Sequence, residues 1–203
     1  MYRLALFATV FLPGWALAGT QEVIDAVEKR YAAVESIRGD FTQTTTSELY
    51  GSSTVTGSVV LQKPAQMRWD FADGKQYLSD GSRMWITTPA EKQVLEMSDV
   101  AASAGQADTL LQSLDKVSEL FDVELLEETD TVKRVKLTPK GGSDMLKEVV
   151  LALDGDYVVQ SVGIVDAFGS KTELAFKDVK LAGKVDPSTF TFSLPEGYEV
   201  LKN

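Results

Sequence analysis

Residues 55–71 read Val55-Thr56-Gly57-Ser58-Val59-Val60-Leu61-Gln62-Lys63-Pro64-Ala65-Gln66-Met67-Arg68-Trp69-Asp70-Phe71. Val55, Gly57, Val59 and Leu61 fall at every second position. After Pro64 so do Met67, Trp69 and Phe71, with Gln66, Arg68 and Asp70 between them. A period of two places each set on its own face of an extended chain. Pro64 has no N–H to give a ladder and falls between the runs. The stretch therefore predicts two strands joined by a turn and sharing one apolar face.

The same period continues outward. Upstream, Phe41, Gln43 and Thr45 alternate with polar neighbours from Gly39 onward. Downstream, Asp80-Gly81 sits between Tyr77-Leu78 and Trp85-Ile86, a two-residue hairpin signal. Val94–Met97, Val123–Leu126 and Val132–Leu137 read as further strands. Lys147–Leu153 turns at Asp154-Gly155-Asp156 into Tyr157–Val165. Thr172, Leu174 and Phe176 alternate again, and Phe190-Thr191-Phe192 reads as a last short strand before Pro195-Glu196-Gly197. An antiparallel sheet of about ten strands curls, toward a barrel or half-barrel.

Two segments have helical spacing instead. In residues 20–36, Val23, Val27, Tyr31 and Val34 form one stripe with Ile24 beside them, and Thr20 fits as N-cap. In residues 99–121, small Ala101, Ala102, Ala104 and Gly105 precede Leu110, Leu111, Leu114, Val117 and Phe121, which suits one broken helix or two short ones. There is no repeat and no charged or Pro/Gly-rich linker, so residues 19–203 read as a single domain.

Composition removes much chemistry. The 203 residues include no His and no Cys, with 30 Asp+Glu against 20 Lys+Arg. That rules out a Ser-His-Asp triad, an imidazole or thiolate metal site, a cysteine nucleophile and a disulfide. A net charge of −10 argues against a nucleic-acid partner. Asp154-Gly155-Asp156 lacks the further oxygen ligands of a calcium loop and reads as a turn. Glu127, Glu128 and Asp130 read as a solvated turn, and Gly141-Gly142 is followed by Ser143-Asp144 instead of the Lys-Ser/Thr of a phosphate loop. No catalytic residue, metal or cofactor is expected, and the chain is not read as an enzyme.

The first 18 residues are built as an export signal. Arg3 precedes an apolar run from Leu4 to Leu12, Pro13-Gly14 breaks it, and Ala16-Leu17-Ala18 offers small residues before Gly19. The run is far short of the ~20 apolar residues a spanning helix needs. Without a Cys to accept lipid after cleavage, the product is expected to be exported and soluble; the chain is also read as a monomer.

An amphipathic insertion between strands must dock its Leu110/Leu114/Val117 stripe somewhere, and the open face of a curled sheet is the natural place. The residues alone leave two equal readings: a movable lid over Met67, Trp69 and Phe71, or a filled core.

With these features assembled, the chain resembles the periplasmic outer-membrane lipoprotein carrier family, LolA, from about Thr20 to Val200. Phe41-Thr42-Gln43 follows the first helix, as in the family. Lys63-Pro64 and Met67-Arg68-Trp69 match its Arg-Pro and Phe-Arg/Asn-Trp segment. Ser79-Asp80-Gly81, Trp85, Pro89 and Gln93-Val94 match the next block, and Leu137-Thr138-Pro139-Lys140 is its Leu-Thr-Pro-Lys. Val185-Asp186, Phe190-Thr191-Phe192 and Pro195-Glu196-Gly197 complete the set. The resemblance implies an unclosed β-barrel with an N-terminal helix and a helical lid over an apolar cavity that takes lipoprotein acyl chains. It implies loading by an inner-membrane lipoprotein-releasing ABC transporter and delivery to an outer-membrane lipoprotein acceptor. The cavity would be lined by Val59, Leu61, Met67, Trp69, Phe71, Leu110 and Leu114. Lys63, standing where the family has Arg, would gate the lid. Thr87 stands where the family has an aromatic residue, and the family's lid proline is absent. A lipid-sensing module of the same architecture that does not shuttle, or a structural domain with a filled core, are the rival readings.

Overall fold

The computed structural model describes residues 14–49, 51–98, 106–142 and 146–202. The quoted stretch forms β2 (Gly51–Gln62) and β3 (Gln66–Phe71). Their register puts Leu61 opposite Met67, Val59 opposite Trp69 and Gly57 opposite Phe71. Strand β1 (Ser36–Ser47) pairs with the other edge of β2, placing Phe41 against Gly57. A side chain at 57 would collide with the Phe41 ring and with the carbonyl of Asp70. Glycine here is thus required by close approach, and its bare backbone makes room for the Phe41 ring.

From this centre the sheet grows both ways. One side continues through β4 (Gln76–Asp80), β5 (Met84–Thr88) and β6 (Gln93–Met97). The other continues through β11 (Lys171–Ala182), β10 (Val159–Asp166), β9 (Leu146–Asp154), β8 (Val132–Pro139) and β7 (Phe121–Glu128). With β12 (Glu199–Lys202), the order is β12-β6-β5-β4-β3-β2-β1-β11-β10-β9-β8-β7. The end strands β12 and β7 do not pair, so among the described residues the sheet is one unclosed, curved β-structure. Every neighbour is antiparallel except β12 beside β6, which runs parallel.

Helix α1 (Gly14–Tyr31) packs Val23, Val27 and Tyr31 into the main core. Two expectations change here. The helix stops at Tyr31, since Ser36 already pairs in β1, and Val34 reaches the core from the connecting turn. Thr20 lies within the helix and is no cap, because the helix begins before it. Of the expected leader 1–18, residues 1–13 lie outside the described residues, as do the small residues 101–105, while 14–18 open helix α1.

The C-terminal segment also differs. Pro187–Phe190 forms a 3-10 turn capped by Asp186, not a strand, because Pro187 supplies no N–H and Asp186 accepts from Ser188 N. The segment covers the sheet's opposite face. Phe192 stacks on Trp85 at 4.9 Å between ring centres, over Leu78 and Val94. The Asp154-Gly155-Asp156 turn joins β9 to β10, and Asp154 Oδ1 accepts from Asp156 N and Val158 N, both at 2.9 Å.

Tyr31 is fully buried, and its hydroxyl accepts from Val159 N at 3.0 Å. Burial pushes its phenol up to about 12 from 10.0, although the bond from Val159 pulls the other way. The native state therefore holds the proton more tightly than the unfolded chain. This stability is complete below pH 10 and is lost as pH rises toward 12, on the order of 2–3 kcal/mol in all. Urea unfolding at pH 9 and pH 11 is expected to show that loss. Tyr31→Phe should flatten it, while costing about 1–3 kcal/mol at neutral pH through the orphaned Val159 N–H.

Candidate functional site

The helical insertion consists of α2 (Gln106–Gln112), a 3-10 turn over Leu114–Lys116 and α3 (Val117–Leu120). It is two short helices with a tight turn between, one of the two forms that the spacing allows. Leu110, Leu111, Leu114 and Val117 are exposed by only 3, 1, 0 and 3%. They join Val59, Leu61, Met67 and Trp69 in one apolar cluster on the concave face of the sheet. The α2 helix rests on β2, while the 3-10 turn and α3 rest on α1. The stripe is buried as deeply as the strand core, deeper than its shortness suggests, because the curled sheet and α1 enclose it from two sides.

Polar contacts between insertion and body are few and specific. Trp69 Nε1 donates to Asp108 Oδ1 at 2.6 Å, with both residues buried. Lys63 Nζ pairs with Asp115 Oδ2 at 2.9 Å and donates to Tyr31 O at 3.3 Å. With its amide nitrogen turned toward acceptors, Gln112 donates to Pro64 O at 3.0 Å and Gln62 O at 3.3 Å. Glu28 Oε1 accepts from Ser118 N at 2.7 Å, and Lys140 Nζ donates to Ser118 O at 2.6 Å. Among the described residues, Asp115 Oδ1 is buried and has no hydrogen-bond partner.

Beneath α2 runs an aromatic row. Phe41 meets Trp69 and Phe71 edge-on, at 4.8 and 5.3 Å between ring centres, and Phe71 meets Tyr77 at 5.1 Å. Two openings flank the insertion. One, of about 420 Å³, lies by Lys63, Met67, Gln112, Asp115 and Lys116. The other, of about 340 Å³, lies by Trp69, Phe71, Tyr77, Ile164, Phe168 and Leu174. The Trp69–Asp108 bond belongs to the wall of the second.

The sequence-selected residues thus meet in one place. Val59, Leu61, Met67, Trp69, Leu110 and Leu114 share the cluster, Phe71 packs against its edge, and Lys63 reaches across to Asp115. The arrangement is an apolar face under an apolar cover, with a few hydrogen bonds across the seam. It suits binding of hydrophobic groups. Asp108, Asp115 and Phe168 escaped the sequence reading. Asp108 is an acid in a helix's first turn, and Asp115 an acid between two residues of the apolar stripe, Leu114 and Val117, so neither carries a local signal of its distant partner.

Trp69→Phe is expected to keep the aromatic packing but remove the donor to Asp108. It should lower thermal stability by about 1–3 kcal/mol, read as a drop in Tm. An unchanged Tm would show that this bond contributes little to seating the insertion.

The family described as "Outer membrane lipoprotein carrier protein LolA" matches residues 32–193. The outer-membrane lipoprotein carrier protein of Bordetella avium (strain 197N) is 30% identical over 206 residues, covering 98% of this chain and 96% of that one. That of Halorhodospira halophila (strain DSM 244 / SL1) is 29% identical over 185 residues, covering 87% and 84%. Among solved structures, an uncharacterized conserved protein from Thermus thermophilus superposes with a TM-score of 0.55 at 13% identity, covering 90% of this chain and 98% of that chain. That last likeness is one of fold.

Proposed function

The chain belongs to the LolA family of outer membrane lipoprotein carrier proteins, and we propose that it carries lipoproteins across the periplasm with their acyl chains held against the concave sheet face beneath a movable lid. The lid is the insertion of α2, the 3-10 turn and α3. Residues 1–18 are an export signal, loading is from an inner-membrane ABC transporter, and delivery is to an outer-membrane acceptor.

The observation that supports this reading best is the seat of the Leu110/Leu111/Leu114/Val117 stripe on Val59, Leu61, Met67 and Trp69. Each buried aliphatic side chain is worth about 1.5–3 kcal/mol. Lifting four of them into water would cost on the order of 6–12 kcal/mol, so an empty lid stays down. An acyl chain changes that balance. It brings ~0.8 kcal/mol per buried methylene and covers the same sheet face that the stripe leaves. Opening is therefore coupled to the presence of a passenger, and closing to its departure. An apolar site with few fixed polar anchors tolerates varied passengers, and flexible Met67 adapts to irregular chains.

Protein purified from its own periplasm is expected to yield lipoprotein acyl chains on organic extraction and mass spectrometry, and to pass a bound triacylated lipopeptide to acceptor vesicles. Binding without transfer would favour a sensor. A protein that neither holds extractable lipid nor binds the lipopeptide would contradict the proposal. Amides in 107–120 are also expected to exchange faster than those of β1 and β2, since the lid opens at less cost than the sheet unfolds.

A further inference from the structure

We infer that the acyl chain enters through the opening beside Phe168, and that the tip of the β10–β11 hairpin forms its lip. This rests on the carrier reading and adds which of the two openings is used. The first observation is exposure. Phe168 is 90% exposed and Leu49 85%, the two most exposed large apolar residues among those described. Both sit at hairpin tips at one end of the sheet, because β1 pairs with β11 up to Thr46 opposite Lys171. Single exposed apolar residues are ordinary, but Phe168 itself lines an apolar opening, and Leu49 lies on the neighbouring hairpin.

The second observation is stiffness. Asp166 Oδ1 accepts from Phe168 N at 2.8 Å and Ser170 N at 2.9 Å, and Asp166 N donates to Ser170 O at 3.0 Å. Gly169 takes φ +86°, as the tight turn requires. The turn fixes the backbone beneath Phe168 and keeps its ring in water at the rim.

The third observation is the contrast between openings. The opening by Lys63 has Pro64, Ala65 and Met67 in its wall, but Lys63, Asp115, Lys116 and Gln112 line it too, and the Lys63–Asp115 pair belongs to that wall. A methylene chain entering there would strip water from charges and gain little. The opening by Phe168 leads over Ile164 and Leu174 onto Phe71, Tyr77 and Trp69. Its two carboxylates are already engaged, Asp166 with its own turn and Asp108 with the indole N–H. Gln43, Ser170 and Thr172 also line it but carry no charge, so a hydrocarbon chain sliding over Phe168 passes no unengaged charge on its way to the aromatic row.

The test uses the full mature protein and a triacylated lipopeptide. Phe168→p-benzoylphenylalanine and Lys116→p-benzoylphenylalanine place a photoreactive group at each opening. Crosslinks to acyl carbon are expected at 168 and not at 116. Phe168→Asp, at a position too exposed to affect folding, should slow lipopeptide uptake about five- to tenfold with unchanged Tm, and Phe168→Trp should restore it. Wild-type binding with acyl crosslinks at 116 alone and normal uptake by Phe168→Asp would overturn the entry side while leaving the carrier reading intact. Failure of the wild type to bind the lipopeptide would overturn both.

Discussion

Met67→Glu is expected to lose acyl-chain loading, on the order of a hundredfold or more, while keeping its β-sheet circular dichroism. Met67 is 1% exposed, sits opposite Leu61, and lines the opening that Lys63 and Asp115 share. A carboxylate there cannot remain buried without a partner. The nearest relief is outward, toward the Lys63 and Lys116 side of that opening, which takes the side chain out of the proposed acyl-binding face and disturbs the seat of Leu110 and Leu114. The ladder that β3 makes with β2 and β4 uses backbone groups and is untouched. The folded sheet should survive with a lowered Tm, and the site should not. Collapse of the sheet signal would instead place Met67 in the structural core and weaken the account of a dispensable contact between sheet and lid.

The second large effect concerns position 63. Lys63 supplies one ammonium to Asp115 Oδ2 and to Tyr31 O, while Asp115 Oδ1 stays buried and unpartnered. A guanidinium can address both carboxylate oxygens at once, whereas an ammonium is a compact point charge. Lys63→Arg should therefore satisfy Oδ1, hold the lid more tightly and slow lipopeptide release. Both partners are about one-quarter to one-third exposed, so the gain is about 1 kcal/mol, roughly a fivefold slower release. Lys63→Leu should act in the opposite direction, leaving Asp115 without its counter-charge at the seam. Lid amides should then exchange faster, and bound lipopeptide should leak into vesicles without an acceptor. Equal release rates for Lys63→Arg, Lys63→Leu and wild type would remove this pair from the account of lid control.

The parts of this fold that were legible in the sequence follow from short-range rules. Strand alternation in Met67, Trp69 and Phe71 fixes their common face without any knowledge of the partner strands, and Pro64 marks the break between β2 and β3. The helical stripe Leu110, Leu114 and Val117 is visible for the same reason. What stayed hidden depends on partners distant in the chain. Trp69 and Asp108 meet across 39 residues, and nothing near either one announces the bond. Phe168 lies between two strand patterns, after Val165 and before Thr172, with no pattern of its own, and its relation to the aromatic row exists only once β10 lies beside β11. The parallel placement of β12 on β6 could not be read from a four-residue strand, which has too few positions to declare a direction. Phe190-Thr191-Phe192 alternates like a strand, yet Pro187 and the Asp186 cap start a 3-10 turn, and Phe192 is spent stacking on Trp85.

The central claim is that the insertion must lift for a passenger to enter. The chain has no Cys, so two introduced thiols are its only ones. In Lys63→Cys/Asp115→Cys, a short bifunctional methanethiosulfonate linker can replace the ion pair by a covalent bridge that a reductant cleaves. The bridged protein is expected to lose uptake of a triacylated lipopeptide by at least about tenfold relative to the same variant unbridged, and to regain it when the linker is reduced. Bridged protein that loads the lipopeptide as fast and as fully as the reduced form would contradict the claim.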